Sequence, residues 1–163
     1  IGRLDAKITP SMRTIREVFN RSGIETRITR DIKSMIWLKL IINCGINALT
    51  AITRLNNSRI TEFEGTKRLM REAVTEGICI TKRKRIKLNC EDPLAKVEAI
   101  IESTGPNISS MLQDVLRKKR TEIDFINGVI VRHGQELNIP CPVNHALLDL
   151  VKTIESAYDL TVK

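Results

Sequence analysis

The stretch from about Asp31 to Arg54 constrains the fold more than any other part of the sequence. Ile32, Met35, Ile36, Leu38, Leu40, Ile41, Ile42, Ile46, Leu49 and Ile52 recur there at helical spacing and cover more than one stripe. A helix that is apolar on most sides must be enclosed by other elements, because a single apolar stripe is all that a surface helix needs. A chain of 163 residues is long enough to enclose it, burying about two-thirds of its unfolded surface in one core. No window approaches 18 uninterrupted apolar residues, so the pattern predicts a core helix and no membrane span.

The rest of the chain reads almost entirely as helix. Ile1 to Asp5 looks like the end of a strand. Thr9 and Pro10 then form a start signal, followed by Met12, Ile15, Val18 and Phe19 on one face and Gly23 as the stop. Thr61 and Glu64 have the spacing of a capping box for a third helix running through Phe63, Met70, Val74 and Ile78. A short helix is predicted from Pro93 to about Glu102, broken by Ser103 to Asn107. Ser109 to Arg120 and Glu122 to Glu136 read as two helices or one with a kink. Ile139 to Pro142 reads as a rigid loop, with Asn144 as the cap of the last helix. The predicted fold class is all-α, a bundle of six or seven helices.

Composition narrows the function classes. The chain has 27 Lys and Arg against 19 Asp and Glu, a formal net charge of +8, with basic runs at Lys82–Arg85 and Arg117–Arg120. These invite a nucleic-acid reading, but aromatics are only 3% and no binding motif accompanies the runs, so solvated helix faces are preferred. Cys44, Cys79, Cys90 and Cys141 have no zinc spacing, and His133 and His145 have no ligand-spaced partner, so no metal site is expected. Cys44 and Cys79 fall in helical patterns and read as small buried hydrophobes. No signal peptide is visible, which with the cysteine usage points to the cytoplasm. None of the eight glycines forms a phosphate-cradling loop. A two-domain dehydrogenase usually needs close to twice this length, so only part of one could be present.

Within the most apolar helix, Lys39, Asn43 and Asn47 fall at i, i+4 and i+8 and project to one side. Polar groups in line on a buried helix are costly unless satisfied. Two readings are open. Either the amides bond neighbouring backbone while Lys39 snorkels outward, or the three line a cleft offering one cation and two amides to an oxygen-rich ligand. An α-keto acid fits the second reading, because its carbonyl oxygen needs a proton donor as it gains charge. Ser109 with Ser110, and Glu122, are by themselves more simply read as a helix cap and a helix-dipole partner.

Trp37, Lys39, Leu40, Asn43, Ile46, Asn47, Leu49, Thr50 and Ala51 stand in the pattern W-x-K-L-x-x-N-x-x-I-N-x-L-T-A, which resembles the signature of ketopantoate reductases. Asn107 to Asp114 with Thr121 to Gly128 resembles the family's second signature, and Ile139, Pro140, Pro142 and Asn144 its closing loop. Ile1 to Asp5 looks like the strand that ends the family's nucleotide-binding domain. The resemblance implies an all-α fold like the C-terminal domain of 6-phosphogluconate dehydrogenase over residues 9–163. It assigns residues 1–8 to the end strand and linker of an absent Rossmann domain. It implies NADPH-dependent reduction of 2-dehydropantoate to pantoate in pantothenate and coenzyme A biosynthesis, with NADPH bound mainly by that other domain and a homodimer left open. By the same resemblance Lys39 is the proton donor, and Asn43, Asn47, Asn57 and Ser110 bind substrate. Asn56 competes with Asn57 for its place, and Glu122 sits near the cofactor. Ala48 departs from the family, where many members have proline. The chain by itself is then expected to be inactive. The alternatives are a helical binding or dimerisation module with a basic surface, or a related reductase acting on another 2-keto acid.

Overall fold

The computed structural model describes residues 1–160, and all its regular structure is helical. Among the described residues the α-helices are α1 (Pro10–Arg21), α2 (Ile32–Thr53), α3 (Glu64–Arg83), α4 (Pro93–Ser103), α5 (Ser110–Leu116), α6 (Asn127–Leu137) and α7 (Pro142–Ser156). Short 3-10 turns at Ser58–Thr61 and Ile123–Phe125 complete the set. The central helix is α2, packed against α3, α4, α5 and α7. It starts where Asp31 accepts the Ser34 amide at 3.2 Å and ends at Arg54 in the left-handed region, φ 62°. Ile41, Cys44, Ala48 and Ala51 are fully buried along it. Each buried aliphatic side chain of Ile size contributes about 1.5–3 kcal/mol through area removed from water.

Two glycines let α2 and α3 approach closely. A β-carbon at Gly45 would stand 2.6 Å from Val74 Cγ2, and one at Gly77 would stand 2.5 Å from Ile41 Cδ1. In length and composition α2 would also pass for a membrane-crossing helix, with a mean hydropathy of 1.6 in its most apolar window. Counting only uninterrupted apolar runs misses this. Half of that window is buried inside the bundle, which marks α2 as a core helix.

Several local expectations are corrected by tertiary contacts. The Thr61–Glu64 capping box does not form. Thr61 is taken up by the 3-10 turn, its hydroxyl donating to the Ser58 carbonyl at 2.9 Å, and α3 begins after Phe63 without a side-chain cap. Asn144 does not cap α7. That helix starts at Pro142, and the carboxylate of Glu76, on α3, accepts the Val143 and Asn144 amides at 2.9 Å each. The segment predicted as two long helices after Ser109 is shorter, α5 ending at Leu116 and a 3-10 turn preceding α6. Cys44 is buried as expected, but Cys79 is exposed.

No strand is assigned among the described residues. Ile1 nevertheless donates to the Arg27 carbonyl at 2.6 Å, and its own carbonyl accepts the Thr29 amide at 2.9 Å. These two bonds join the first residue to the segment that follows α1, without a strand being formed. Thr9 and Gly23 bound α1 as predicted, Gly23 at φ 79°. Only Met12 is buried on α1. Ile15, Val18 and Phe19 are 45%, 53% and 41% exposed, so the apolar face of this helix is not spent on the bundle.

The last turn of α6 yields a test. Asn138 ends the helix in the left-handed region, φ 54°, and the Ile139 amide donates back to the Gly134 carbonyl at 2.8 Å. This folds the Ile139–Cys141 loop over Gly134. A β-carbon there would lie 2.7 Å from both Cys141 Sγ and the Ile139 carbonyl oxygen, and the latter is backbone that cannot rotate away. Gly134→Ala should therefore cost about 1–3 kcal/mol, read as a lower urea midpoint. An unchanged midpoint would show that the loop yields freely.

Candidate active site

The polar stripe on α2 descends from surface to interior: Lys39 is exposed, Asn43 half-buried and Asn47 buried. Of the two readings of this stripe, the backbone-bonded one fails for the amides. Among the described residues neither Asn43 nor Asn47 makes a side-chain hydrogen bond, whereas Thr50, one turn further on, donates to or accepts from three oxygens. Neither amide is among the buried polar atoms left without a partner, so both stay open to solvent and, in its place, to a ligand.

Lys39 and Asn43 share a groove of about 330 Å³ with Glu122. Its remaining lining is apolar: Ile36 and Leu40 from α2, Phe125 from the end of the second 3-10 turn and Ile126 from the junction with α6. Glu122 is exposed and makes no cap hydrogen bond with the turn it precedes, so its carboxylate stands at the groove without a helix to serve.

The other predicted residues, Asn47, Asn57 and Ser110, lie outside the lining of this groove. The Thr50 hydroxyl sits 2.6 Å from that of Ser109, which caps α5 by accepting the Leu112 amide at 3.1 Å. Ser109 is thus buried in structural work, which leaves Ser110, the first residue of α5, exposed with its hydroxyl free of that duty. Asn57 is buried. Its amide group donates to Thr104 Oγ1 at 3.1 Å, its backbone amide donates to the Asn107 carbonyl at 3.1 Å, and its side-chain oxygen has no partner. Asn56 accepts weakly from Arg59 and Ser58, both at 3.4 Å. Thr50 and Ser109 are the positions that sequence reasoning missed as linkers of α2 to α5. Their helical spacing from Asn47 and their adjacency to Ser110 were the available signals.

A buried clasp sets the two groove walls against each other. Asn127, the first residue of α6 and fully buried, donates its amide to the Cys44 carbonyl on α2 at 3.1 Å and to Asn144 Oδ1 at 2.9 Å. Asn144 donates in turn to the Ala73 carbonyl at 3.0 Å and to Glu76 at 2.7 Å. Cys44 lies beside Asn43, and Asn127 follows Phe125 and Ile126, so this chain of bonds joins the two walls at their base. On the outer side Trp37 stacks on His133 with centroids 5.5 Å apart. Burial pushes the Cys44 thiol up and the Cys141 thiol up to about 11, with nearby Glu76 adding to both, so neither is a nucleophile at neutral pH.

Asp124 follows Glu122 closely and is held by Lys152 at 2.8 Å and Arg120 at 3.6 Å. The Lys152 hydrogen bond is the main cause that holds the Asp124 pKa below the ordinary carboxylate value. A depressed folded-state value contributes stability that is present above the unfolded value of about 3.9 and is lost as pH falls through the folded one. Lys152→Ala should move the Asp124 titration, followed by carboxyl NMR, upward toward 3.9. No movement would remove Lys152 as the cause. For the clasp, Asn127→Ala leaves Asn144 Oδ1 without its donor and removes the second bond to the Cys44 carbonyl, which keeps its place in the α2 ladder; it should cost about 1–3 kcal/mol for the stranded oxygen, measured by urea unfolding. A neutral result would show that water replaces the amide.

A family model for the ketopantoate reductase PanE/ApbA C terminal matches residues 31–155. The 2-dehydropantoate 2-reductase of Archaeoglobus fulgidus is 36% identical over 156 residues, which are 96% of this chain and 52% of that protein. That of Pyrococcus horikoshii is 39% identical over 142 residues, 87% of this chain and 47% of the relative. The crystal structure of a PanE/ApbA family ketopantoate reductase from Ralstonia eutropha superposes with a TM-score of 0.87 at 35% identity, covering 93% of this chain and 50% of that one. D-mandelate dehydrogenase in complex with NADH shares the fold, with a TM-score of 0.86 at 24% identity. The chain spans about half the length of the curated relatives it matches. With the all-helical bundle, the α2 motif and the match over residues 31–155, the chain belongs to the ketopantoate reductase family and carries its helical C-terminal domain.

Proposed function

We propose that this chain is the substrate-binding and proton-donating part of an NADPH-dependent 2-dehydropantoate 2-reductase, which reduces ketopantoate to pantoate. The observation that carries the reading is the shared groove of Lys39, Asn43 and Glu122 in a chain of this family. Lys39 is exposed at the groove and presents three N–H donors on a flexible stem, suited to follow a carbonyl oxygen as it becomes an alkoxide. Its ammonium stabilises the developing charge and then gives the oxygen a proton. Asn43 and Asn47, whose amides are unengaged, together with Ser110 and the partnerless Oδ1 of Asn57, orient the substrate's carboxylate and hydroxyl ends.

The residues present fit a nicotinamide dinucleotide in one respect: an exposed carboxylate, Glu122, stands at the groove and can accept hydrogen bonds from hydroxyl or amide groups of the cofactor. The cofactor supplies, when bound, the hydride that the carbonyl carbon receives. Its phosphates would be held elsewhere, since the glycines here form no phosphate loop. Residues 1–8 and the uncovered apolar face of α1 are the surface on which a dinucleotide-binding domain would rest. The bonding of Ile1 with residues 27 and 29 supports this. Four unpaired cysteines support a cytoplasmic location.

The test is ketopantoate-dependent oxidation of NADPH by this chain joined to the dinucleotide-binding domain of its family, with Lys39→Ala as the variant. Loss of a well-placed general acid should lower kcat by about 10²- to 10⁴-fold. Full activity in Lys39→Ala would end the role given to that lysine, and no ketopantoate reduction by the unaltered protein would end the reading.

A further inference from the structure

The polar groups of the groove account for the head of a 2-oxo acid, but four of its seven lining side chains are apolar. Ile36, Lys39 or Leu40, and Asn43 succeed one another at i, i+3 or i+4 and i+7, so apolar and polar groups alternate along one face of α2. Phe125 and Ile126 oppose them from the segment that enters α6. Ile36 is 54% exposed and Phe125 72%, although Ile126 beside them is 5% exposed and belongs to the core. The two large side chains are therefore not needed to close the bundle, and their apolar area lies within the reach of a molecule held by Lys39 and Asn43. A groove of about 330 Å³ admits a small acid with a compact tail.

We infer that Ile36 and Phe125 form an apolar seat that selects 2-oxo acids branched at C3 over small unbranched ones, the head being held by Lys39 and Asn43. The inference rests on the reductase reading above and adds to it the residues that discriminate among substrates. An apolar contact worth a methyl or methylene group separates competing substrates by about 10- to 200-fold. Removing either wall should forfeit a factor in that range.

The experiment measures kcat/KM for ketopantoate and for pyruvate with the complete two-domain protein. Its variants are Ile36→Ala, Phe125→Ala and Phe125→Leu, with Leu150→Ala, an exposed apolar residue outside the groove, as control. The expected result is a fall of about tenfold or more in the ketopantoate-to-pyruvate ratio for both alanine variants. It should be carried by KM for ketopantoate, recovered in part by Phe125→Leu and absent in Leu150→Ala. Thermal unfolding of each variant should match the unaltered protein, since both side chains are exposed. A ratio unchanged in both alanine variants, or a rise confined to KM for NADPH, would overturn the seat while leaving the reductase reading in place. An unaltered protein that reduces neither acid would overturn the reductase reading and the seat with it.

Discussion

One carboxylate and two amides, none placed on the surface, hold this bundle in register. Glu76 on α3 gathers the first amides of α7, Asn144 on α7 reaches the Ala73 carbonyl and Asn127, and Asn127 on α6 reaches the Cys44 carbonyl on α2. Apolar contacts between helices are tolerant of sliding, because any adequate fit buries similar area. Hydrogen bonds inside a low-dielectric core are not, since a shift of an ångström strands a donor or acceptor at full desolvation cost. The clasp therefore sets which faces meet, and the close approach of α2 and α3 at Gly45 and Gly77 sets how near they come.

The groove inherits its shape from that arrangement. Its α2 wall is one turn from the Cys44 carbonyl, and its other wall runs directly into Asn127. A proton donor on a flexible lysine stem is useful only if the amides and the opposing wall that hold the substrate are stiff, and here the stiffness comes from buried bonds beneath the groove. The Thr50–Ser109 contact ties α2 to α5, with Ser110 exposed on the first turn of α5. Separating the two serines, one as cap and one as exposed hydroxyl, is a division of labour between adjacent residues.

The surface charge finds a mundane use. Lys82 and Arg83 end α3, where positive charge complements the exposed carbonyls of a helix terminus. Lys118 pairs with Asp159 at 3.0 Å and Arg120 with Asp124 at 3.6 Å. Exposed pairs of this kind contribute little stability, but they show two members of the second basic run, Lys118 and Arg120, engaged with this chain's own acids.

The sequence by itself determined the helical class, the central place of the α2 segment, the punctuation at Thr9 and Gly23, and the line of Lys39, Asn43 and Asn47. Each of these depends on residues within a turn or two of one another, where periodicity and capping chemistry act. The failed Thr61 box, the exposed face of α1 and the cap of α7 were decided only by the tertiary structure. So was the grouping of Lys39 and Asn43 with Glu122. Glu76 serves amides 67 and 68 positions away, and Ser109 meets Thr50 across 59 positions. No local pattern encodes such pairs, because what selects them is the cost of leaving a buried polar group alone once the helices have packed.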